Sequence, residues 1–159
     1  MLFTNMKTQP AISGVYAYEA EHTFRVHRHQ RDPGPRPWQL LARAWLKGPQ
    51  VAGYEPADIP ALCAQGLMQL WTVDDAEAGT VAAAVTQIVQ YPRRKVLEIV
   101  AIGGDGSARW GEELHRALVA FAREHGCSHV RAYTRPGGAR RLKRRYRFSA
   151  VADVVELEV

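Results

Sequence analysis

Apolar residues along this chain follow strand-like and helix-like periods, and one segment combines the two. Val96–Ile102 is almost continuously apolar, which is typical of a strand that is covered on both faces. A glycine-rich turn follows, and from Trp110 onward apolar residues recur every three or four positions. This spacing predicts an amphipathic helix over Ala108–His125, followed by a strand over Cys127–Tyr133. A helical crossover of this kind makes the two strands parallel neighbours.

The segment before Val96 predicts two further strands and two helices. The strands cover Leu67–Val73 and Thr80–Tyr91, and short turns separate them from each other and from Val96–Ile102. Strands joined by short turns should form an antiparallel meander. The helices cover Trp38–Lys47 and Asp58–Gln65, and a glycine follows each of them closely.

The C-terminal part predicts one more helix and one more strand. A short basic helix covers Ala139–Tyr146, and the alternating sequence near the end predicts a closing strand over Ser149–Val159. The fold class is therefore α/β, with a mixed sheet. It is built as an antiparallel meander followed by a β-α-β-α-β unit.

The N-terminal residues 1–37 are expected to form a partly irregular extension, ahead of a domain over residues 38–159. The sequence predicts short strands over Ile12–Tyr18 and Thr23–Val26. The extension contains a cluster of histidines: His22, His27 and His29. Because no cysteine or carboxylate lies at a convincing partner spacing, we expect no metal site there.

The net charge of +5 is concentrated in one segment, and outside it the chain holds 15 basic and 16 acidic residues. This basic patch consists of Arg140, Arg141, Lys143, Arg144, Arg145 and Arg147. Such a patch binds phosphates, nucleic acid or an acidic protein surface, or it is simply a solvated helix face.

Other sequence features bear on the location of the protein. No apolar run reaches the roughly 18 residues that a membrane span requires, so no membrane association is expected. The mixed, polar start of the chain lacks a signal-peptide pattern, which argues against export. Cys63 and Cys127 are expected to be buried thiols in a reducing cytoplasm.

Several short motifs occur in a fixed order along the chain. They are Pro37-Trp38, Asp58-Ile59, Gln69-Leu70-Trp71, Thr86-Gln87-Ile88, Tyr91-Pro92-Arg93-Arg94, Trp110, Gly126-Cys127 and Arg135-Pro136-Gly137. This order resembles the GNAT (GCN5-related N-acetyltransferase) superfamily over about Trp38–Val159. The resemblance extends to the small GNAT-like proteins of tailed bacteriophages and prophages. It implies a GNAT-like fold whose parallel strands splay apart around acetyl-CoA.

The resemblance also implies a cofactor-binding turn after the central strand, formed by Ile102, Gly103, Gly106, Arg109 and Gly111. In the family this turn reads Gln/Arg-x-x-Gly-x-Gly/Ala, and its amides bind the pyrophosphate. Here Gly106 occupies the first position and Arg109 the first glycine position, so only Gly111 matches. Arg109 would either obstruct the cofactor or offer its charge to a phosphate.

The resemblance also suggests a candidate base and a candidate acid for the reaction, and each has a structural alternative. In the family a strand carboxylate deprotonates the amine, which makes Glu98 the candidate base here, unless it faces solvent or pairs with an arginine such as Arg131. A tyrosine in the last helix of the family protonates the departing thiolate, but Lys143 stands at that position. Tyr146, one turn further on, and Tyr133 are candidate acids or packing residues.

Three functions follow from these observations. The replaced motif residues favour a phage-type GNAT-like protein with a degenerate acetyl-CoA site, which acts in the virion, in assembly or in host interaction through an unknown protein partner. The alternative is an active acetyl-CoA-dependent N-acetyltransferase on an unknown amine. A second alternative is a nucleic-acid-binding module that uses the basic patch. The expected location is the host cytoplasm or the virion.

Overall fold

The computed structural model describes residues 23–46, 53–153, 155, 157 and 158. Five strands form one mixed sheet in chain order: β1 (Phe24–His29), β2 (Gln69–Asp75), β3 (Gly79–Tyr91), β4 (Arg94–Gly104) and β5 (His129–Ala132). The helices are α1 (Pro35–Trp45), α2 (Ile59–Ala64), α3 (Ser107–Glu124) and α4 (Pro136–Tyr146). The predicted α/β class with a mixed sheet is confirmed.

Strand directions follow from the connections between strands. β1 to β4 are antiparallel neighbours, and β4 and β5, which are joined through α3, are parallel. The predicted meander and parallel crossover are therefore both present. β1 pairs with β2 along six residues, so this part of the segment 1–37 is integrated into the sheet. The strand predicted over Ile12–Tyr18 lies outside the described residues.

Helices cover both faces of the sheet. On one face α3 contributes Trp110, Leu114, Leu118, Phe121 and Ala122 to a buried cluster. On the other face α1 and α2 contribute Leu40, Leu41 and Ile59. Between the two layers, Ala82, Ala83 and Ala84 of β3 are fully buried and alternate between the two clusters. Their small side chains let both helical layers lie close to the central strands.

A β-bulge interrupts the pairing of β3 with β4. Thr86 pairs with Ile99 and Val85 pairs with Ala101, so Val100 is an extra residue without a partner in this ladder. A bulge bends its strand and increases the local twist. The second half of β4 therefore turns away from its earlier direction.

This bend limits the parallel pairing of β4 with β5 to four residue pairs, from Val96–His129 to Ile99–Ala132. Beyond Ile99, the residues Val100–Gly104 have no strand partner on the β5 side within the described part of the chain. The two parallel strands thus part after four pairs, as the resemblance implied, and an opening forms between them.

The closing strand predicted over Ser149–Val159 is wrong for the residues that the structure describes there. Residues 149–153, 155, 157 and 158 form no strand, and Val151, Val155 and Leu157 are 74%, 91% and 86% exposed. The alternating pattern indicates which side chains could share a face, but a strand also needs a neighbouring edge that satisfies its backbone groups.

Two further expectations can be compared with the structure. Cys63 and Cys127 are free thiols, but both are only half-buried rather than buried. No helix among the described residues is both long and apolar enough to span a membrane.

Candidate functional site

The opening between β4 and β5 forms a cleft of about 720 Å³. The second half of β4 lines one side of it, and α3, the end of β5 and α4 line the others. Its apolar floor consists of Ile99, Leu114, Leu118 and Val130. A volume of this size is typical of sites that bind small molecules or cofactors.

The start of α3 forms one end of the cleft. Gly106 precedes the helix in the left-handed conformation (φ 71°), which glycine adopts without strain, and Ser107 is the first helical residue. The first amides of a helix lack intrahelical partners and favour a bound anion. Ser107 lines the cleft, so this end of α3 faces the space that a ligand would occupy.

Two arginines of α4 hold that helix against the start of α3. A guanidinium nitrogen of Arg141 donates a hydrogen bond to Ser107 Oγ, and Arg145 Nη2 donates to the carbonyl of Ala108 at 3.2 Å. These two members of the basic patch therefore face α3. All six members of the patch are exposed, and the other four, which are Arg140, Lys143, Arg144 and Arg147, do not line the cleft.

Arginines also line the cleft, and two of them, Arg43 and Arg141, lie near the start of α3. Arg43 of α1, Arg135 at the start of α4 and Arg141 all line it. Arg43 Nη2 lies 3.8 Å from Asp105, but both side chains are largely exposed, so this pair contributes little to stability. Three guanidinium groups and a helix start thus point to a polyanionic ligand such as a polyphosphate.

The structure separates the predicted cofactor-binding residues into two groups. Ile102, Gly103 and Gly111 line the cleft, whereas Gly106 and Arg109 do not. The guanidinium carbon of Arg109 lies 5.5 Å from the ring centroid of Phe24 in β1. Arg109 therefore neither obstructs the cleft nor offers it a charge, and the arginines of α1 and α4 supply the positive charge instead.

Two glycines of the cleft allow close approaches. A Cβ on Gly103 would lie 2.2 Å from the carbonyl oxygen of Leu40, so glycine is required where α1 packs on β4. A Cβ on Gly111 would lie 2.7 Å from the hydroxyl oxygen of Tyr146. Gly111 thus leaves room for the hydroxyl of Tyr146 beside the first turns of α3.

Tyr146 lines the cleft, and its ring stacks on His115 of α3 at a centroid distance of 4.6 Å. Burial raises the pKa of Tyr146, although the charges of Arg145 and Arg141 act in the opposite direction. Its phenol is therefore protonated at neutral pH and can donate a proton. Burial lowers the pKa of His115, against the opposing charge of Glu112, so the stacked imidazole is neutral near pH 7.

In the structure Glu98 pairs with Arg131, which is one of the two alternatives to a role as base that the sequence left open. Glu98 is 5% exposed and stands directly opposite Arg131 in the parallel ladder, where Arg131 Nη1 lies 3.0 Å from Glu98 Oε1. Gln87 Nε2 donates to Oε2 at 3.0 Å, and the hydroxyls of Tyr91 and Tyr133 lie 3.3 Å and 3.5 Å from Oε1. These four donors satisfy the carboxyl oxygens of Glu98, as a buried polar group requires.

Only one member of this network reaches the cleft. Tyr133 lines it, whereas Glu98, Arg131, Gln87 and Tyr91 do not. The sequence placed Tyr133 at a strand end as a candidate acid but gave no sign of its contact with Glu98. His115 was not predicted at all, since a histidine on the apolar face of a helix usually packs in the core.

The histidine cluster of the N-terminal segment has structural contacts on the sheet surface. His29 Nε2 lies 2.8 Å from Thr72 Oγ1, and His27 Nε2 lies 3.6 Å from Asp74. His22 lies outside the described residues. Among the residues that the structure describes, no three or more His, Cys, Asp or Glu side chains are grouped so that they could hold a metal ion.

Comparison with known proteins identifies the fold but not a family. No protein-family model and no curated protein sequence matches the chain. Solved structures do share its fold. A Trypanosoma brucei acetyltransferase is 19% identical with a TM-score of 0.61, over 86% of this chain and 100% of that one.

Two neighbours were solved with CoA or acetyl-CoA bound. An aminoglycoside N-acetyltransferase in complex with CoA is 12% identical with a TM-score of 0.65, over 87% of this chain and 95% of that one. A predicted acetyltransferase from Clostridium acetobutylicum with acetyl-CoA is 15% identical with a TM-score of 0.60, over 86% of this chain and 96% of that one. At these identities the similarity establishes the fold alone, and the chain has the fold of GNAT acetyltransferases.

Proposed function

We propose that this protein transfers an acetyl group from acetyl-CoA to a primary amine. The observation that carries the proposal is the cleft between the parting strands β4 and β5, which opens onto the start of α3 and is surrounded there by arginines. Phosphates and an extended, partly apolar chain are the two parts of CoA. The cleft offers positive charge at one end and an apolar floor along its length.

The residues around the cleft fit the parts of the cofactor. Arg141, Arg135 and Arg43, together with the first amides of α3, would hold the phosphates. The edge of Val100–Gly104 on the β5 side offers backbone groups that no strand uses in the described structure. An extended ligand that carries amide groups can pair with such an edge as an added strand does.

Acetyl transfer needs one proton donor and one proton acceptor. The amine nitrogen attacks the thioester carbonyl carbon, a C–N bond forms and the C–S bond breaks. The departing thiolate takes a proton, for which Tyr146 is the candidate donor because its protonated phenol lines the cleft. Glu98, the candidate base, does not line the cleft and cannot contact the amine directly in this arrangement.

Calorimetric titration of the full chain with acetyl-CoA and CoA is the first test. We expect dissociation constants in the micromolar range, in keeping with the Michaelis constants of many enzymes, which run from about 1 μM to 1 mM. ADP should compete for the phosphate end of the same cleft. Absence of heat and of thermal stabilisation at millimolar acetyl-CoA would refute the proposal.

Release of CoA thiol in the presence of amines is the second test. The panel should contain aminoglycosides, polyamines and lysine peptides, since one structural neighbour is an aminoglycoside N-acetyltransferase. Turnover with at least one amine is expected. Binding of acetyl-CoA without turnover on any amine would support a non-catalytic, degenerate site.

A nucleic-acid-binding role is the second candidate, and the outward cations of α4 favour it. Arg140, Lys143, Arg144 and Arg147 are exposed, and α4 contains no acidic residue. Binding of duplex DNA should weaken steeply as the salt concentration rises, because neutralised phosphates release counterions. Salt-independent or absent binding would eliminate this role. A role as a phage virion or host-interaction component stays a prediction of the sequence resemblance.

A further inference from the structure

The proposed reaction lacks a proton acceptor that touches the amine. The buried carboxylate of Glu98 is the only acidic group of β4, but four side-chain donors surround it and it does not line the cleft. Among the described residues, those donors are the side chains that connect it to the cleft. Among them, Tyr133 alone has part of its surface in the cleft.

We propose that Tyr133 is a catalytic residue that receives the proton of the acceptor amine and passes its own proton to Glu98. This inference rests on the proposed acetyl transfer. Tyr133 follows the last residue of β5, at the point where β5 and β4 separate, so its side chain belongs to both the cleft and the polar network. Its hydroxyl lies 3.5 Å from Glu98 Oε1. Catalytic hydrogen bonds are often this long before the substrate binds.

The proton balance of the step is complete. As the C–N bond forms, the amine N–H proton moves to Tyr133 Oη, and the hydroxyl proton of Tyr133 moves to Glu98 Oε1. The C–S bond breaks and the thiolate takes a proton from Tyr146. After the products leave, Glu98 returns its proton through Tyr133 to water, and Tyr146 regains one from water.

Arg131 holds the carboxylate of this relay in place. Arg131 Nη1 donates both to Glu98 Oε1 at 3.0 Å and to the hydroxyl of Tyr91 at 2.9 Å. Partial burial opposes the charge of Arg131, but the hydrogen bonds that Arg131 donates to the hydroxyls of Tyr91 and Tyr133, together with the charge of Glu98, raise its pKa. The guanidinium therefore stays charged and fixes the carboxylate opposite Tyr133.

Tyr91 provides a matched control. It is also a tyrosine whose hydroxyl contacts Glu98 Oε1, at 3.3 Å, but it does not line the cleft. Loss of either hydroxyl removes one hydrogen bond from the same carboxylate oxygen. Only loss of the Tyr133 hydroxyl interrupts the path from the cleft to Glu98.

The test compares Tyr133→Phe and Tyr91→Phe in the full chain, with acetyl-CoA and a primary alkylamine as substrates. Tyr133→Phe should lower kcat by about 100-fold, which is the lower end of the range for general acid–base catalysis. Tyr91→Phe should leave kcat near the wild-type value. Calorimetric affinity for acetyl-CoA should be the same for both variants and the wild type.

A change of acceptor separates proton transfer from positioning. Hydroxylamine is a weaker base than an alkylamine and loses its proton more easily after attack, so its acetylation should depend much less on Tyr133. Tyr133→Phe should therefore recover most of its activity with hydroxylamine. Equal losses with both amines, equal losses in both variants, or an unchanged kcat of Tyr133→Phe would each overturn the proposal.

The proposal can still be tested if Tyr133→Phe does not fold, and it can be separated from a failure of the proposed function itself. If Tyr133→Phe does not fold, 3-fluorotyrosine introduced at position 133 keeps the ring and the hydroxyl but lowers the phenol pKa. The pH profile of kcat should then shift toward lower pH, and an unshifted profile would overturn the proposal. A wild-type protein that acetylates neither amine refutes the proposed function itself, and the titration with acetyl-CoA shows whether cofactor binding or chemistry is missing.

Discussion

Replacement of Gly111 by alanine should separate the stability of the protein from its activity. Gly111 lies within α3, where alanine is favoured over glycine by about 1 kcal/mol. The new methyl group would lie 2.7 Å from the hydroxyl oxygen of Tyr146, whereas 3.4 Å is the start of ordinary contact. The hydroxyl must therefore move by about 0.7 Å, which strains a side-chain rotamer at a cost of about 1 kcal/mol.

These two effects offset each other. We expect the melting temperature of Gly111→Ala to stay within about 3 °C of the wild type, since 1 kcal/mol shifts a domain of this size by roughly 2–4 °C. Turnover should fall by about 10- to 100-fold, because a displacement of about 1 Å in a catalytic group has effects of this size. Thermal unfolding and CoA thiol release measure the two quantities on the same sample.

A double-mutant cycle identifies the cause of the loss. In Tyr146→Phe the hydroxyl is already absent, so adding Gly111→Ala should cost no further activity. Gly103→Ala is the opposite control, because its methyl group would meet the backbone of Leu40 at 2.2 Å and should destabilise the fold by about 1–3 kcal/mol. Wild-type turnover of Gly111→Ala would refute the assignment of Tyr146 as proton donor, and additive losses in the cycle would refute the contact as the cause.

Three other outcomes are expected. Arg141→Gln should weaken CoA binding by about tenfold in calorimetry, because a charge-assisted contact is lost. The exposed Arg144 does not line the cleft, so Arg144→Gln should leave the affinity for CoA unchanged. Equal losses of affinity in both variants would contradict a specific phosphate contact of Arg141. Arg131→Met should destabilise the protein by about 3–5 kcal/mol in urea unfolding, because it leaves Glu98 buried and without its ion-pair partner. Adding Glu98→Gln should recover most of this loss. If the losses of the two single variants simply add in the double variant, the pairing is contradicted. Because burial lowers the pKa of His115, the folded state binds fewer protons than the unfolded state below the ordinary histidine pKa near 6.5. The free energy of unfolding should therefore fall as the pH drops from 7 toward 5. Melting curves should show a smaller fall for His115→Phe, and an equal fall would contradict the role of this histidine.

The sequence predicted the parts of the fold that depend on local pattern. Apolar periodicity and short turns located the three meander strands and the crossover helix α3, because these elements follow from neighbouring residues. The segment 149–159 had a suitable pattern, but those of its residues that the structure describes pair with no strand edge. Whether a segment pairs depends on distant parts of the chain, and the pattern carries no information about them.

The candidate site was only partly predictable for the same reason. Glu98 and Arg131 were recognised as a potential pair, but only the register of β4 with β5 places them opposite each other. Arg109 was expected at the cofactor, whereas the rotation of α3 directs it to Phe24 of β1. The cleft residue Tyr133 acquires its importance from a contact across 35 positions of sequence, which no local motif indicates.

The extra residue at Val100 has a genetic consequence. Deletion of that single codon would restore a regular ladder between β3 and β4, and because Val100 and Ala101 both pack on the α1 side, the residues after it would keep their partners and faces. Gly103 would still lie under α1, but the bend that turns the end of β4 away from β5 would be lost. The opening between the two parallel strands thus depends on the presence of one triplet.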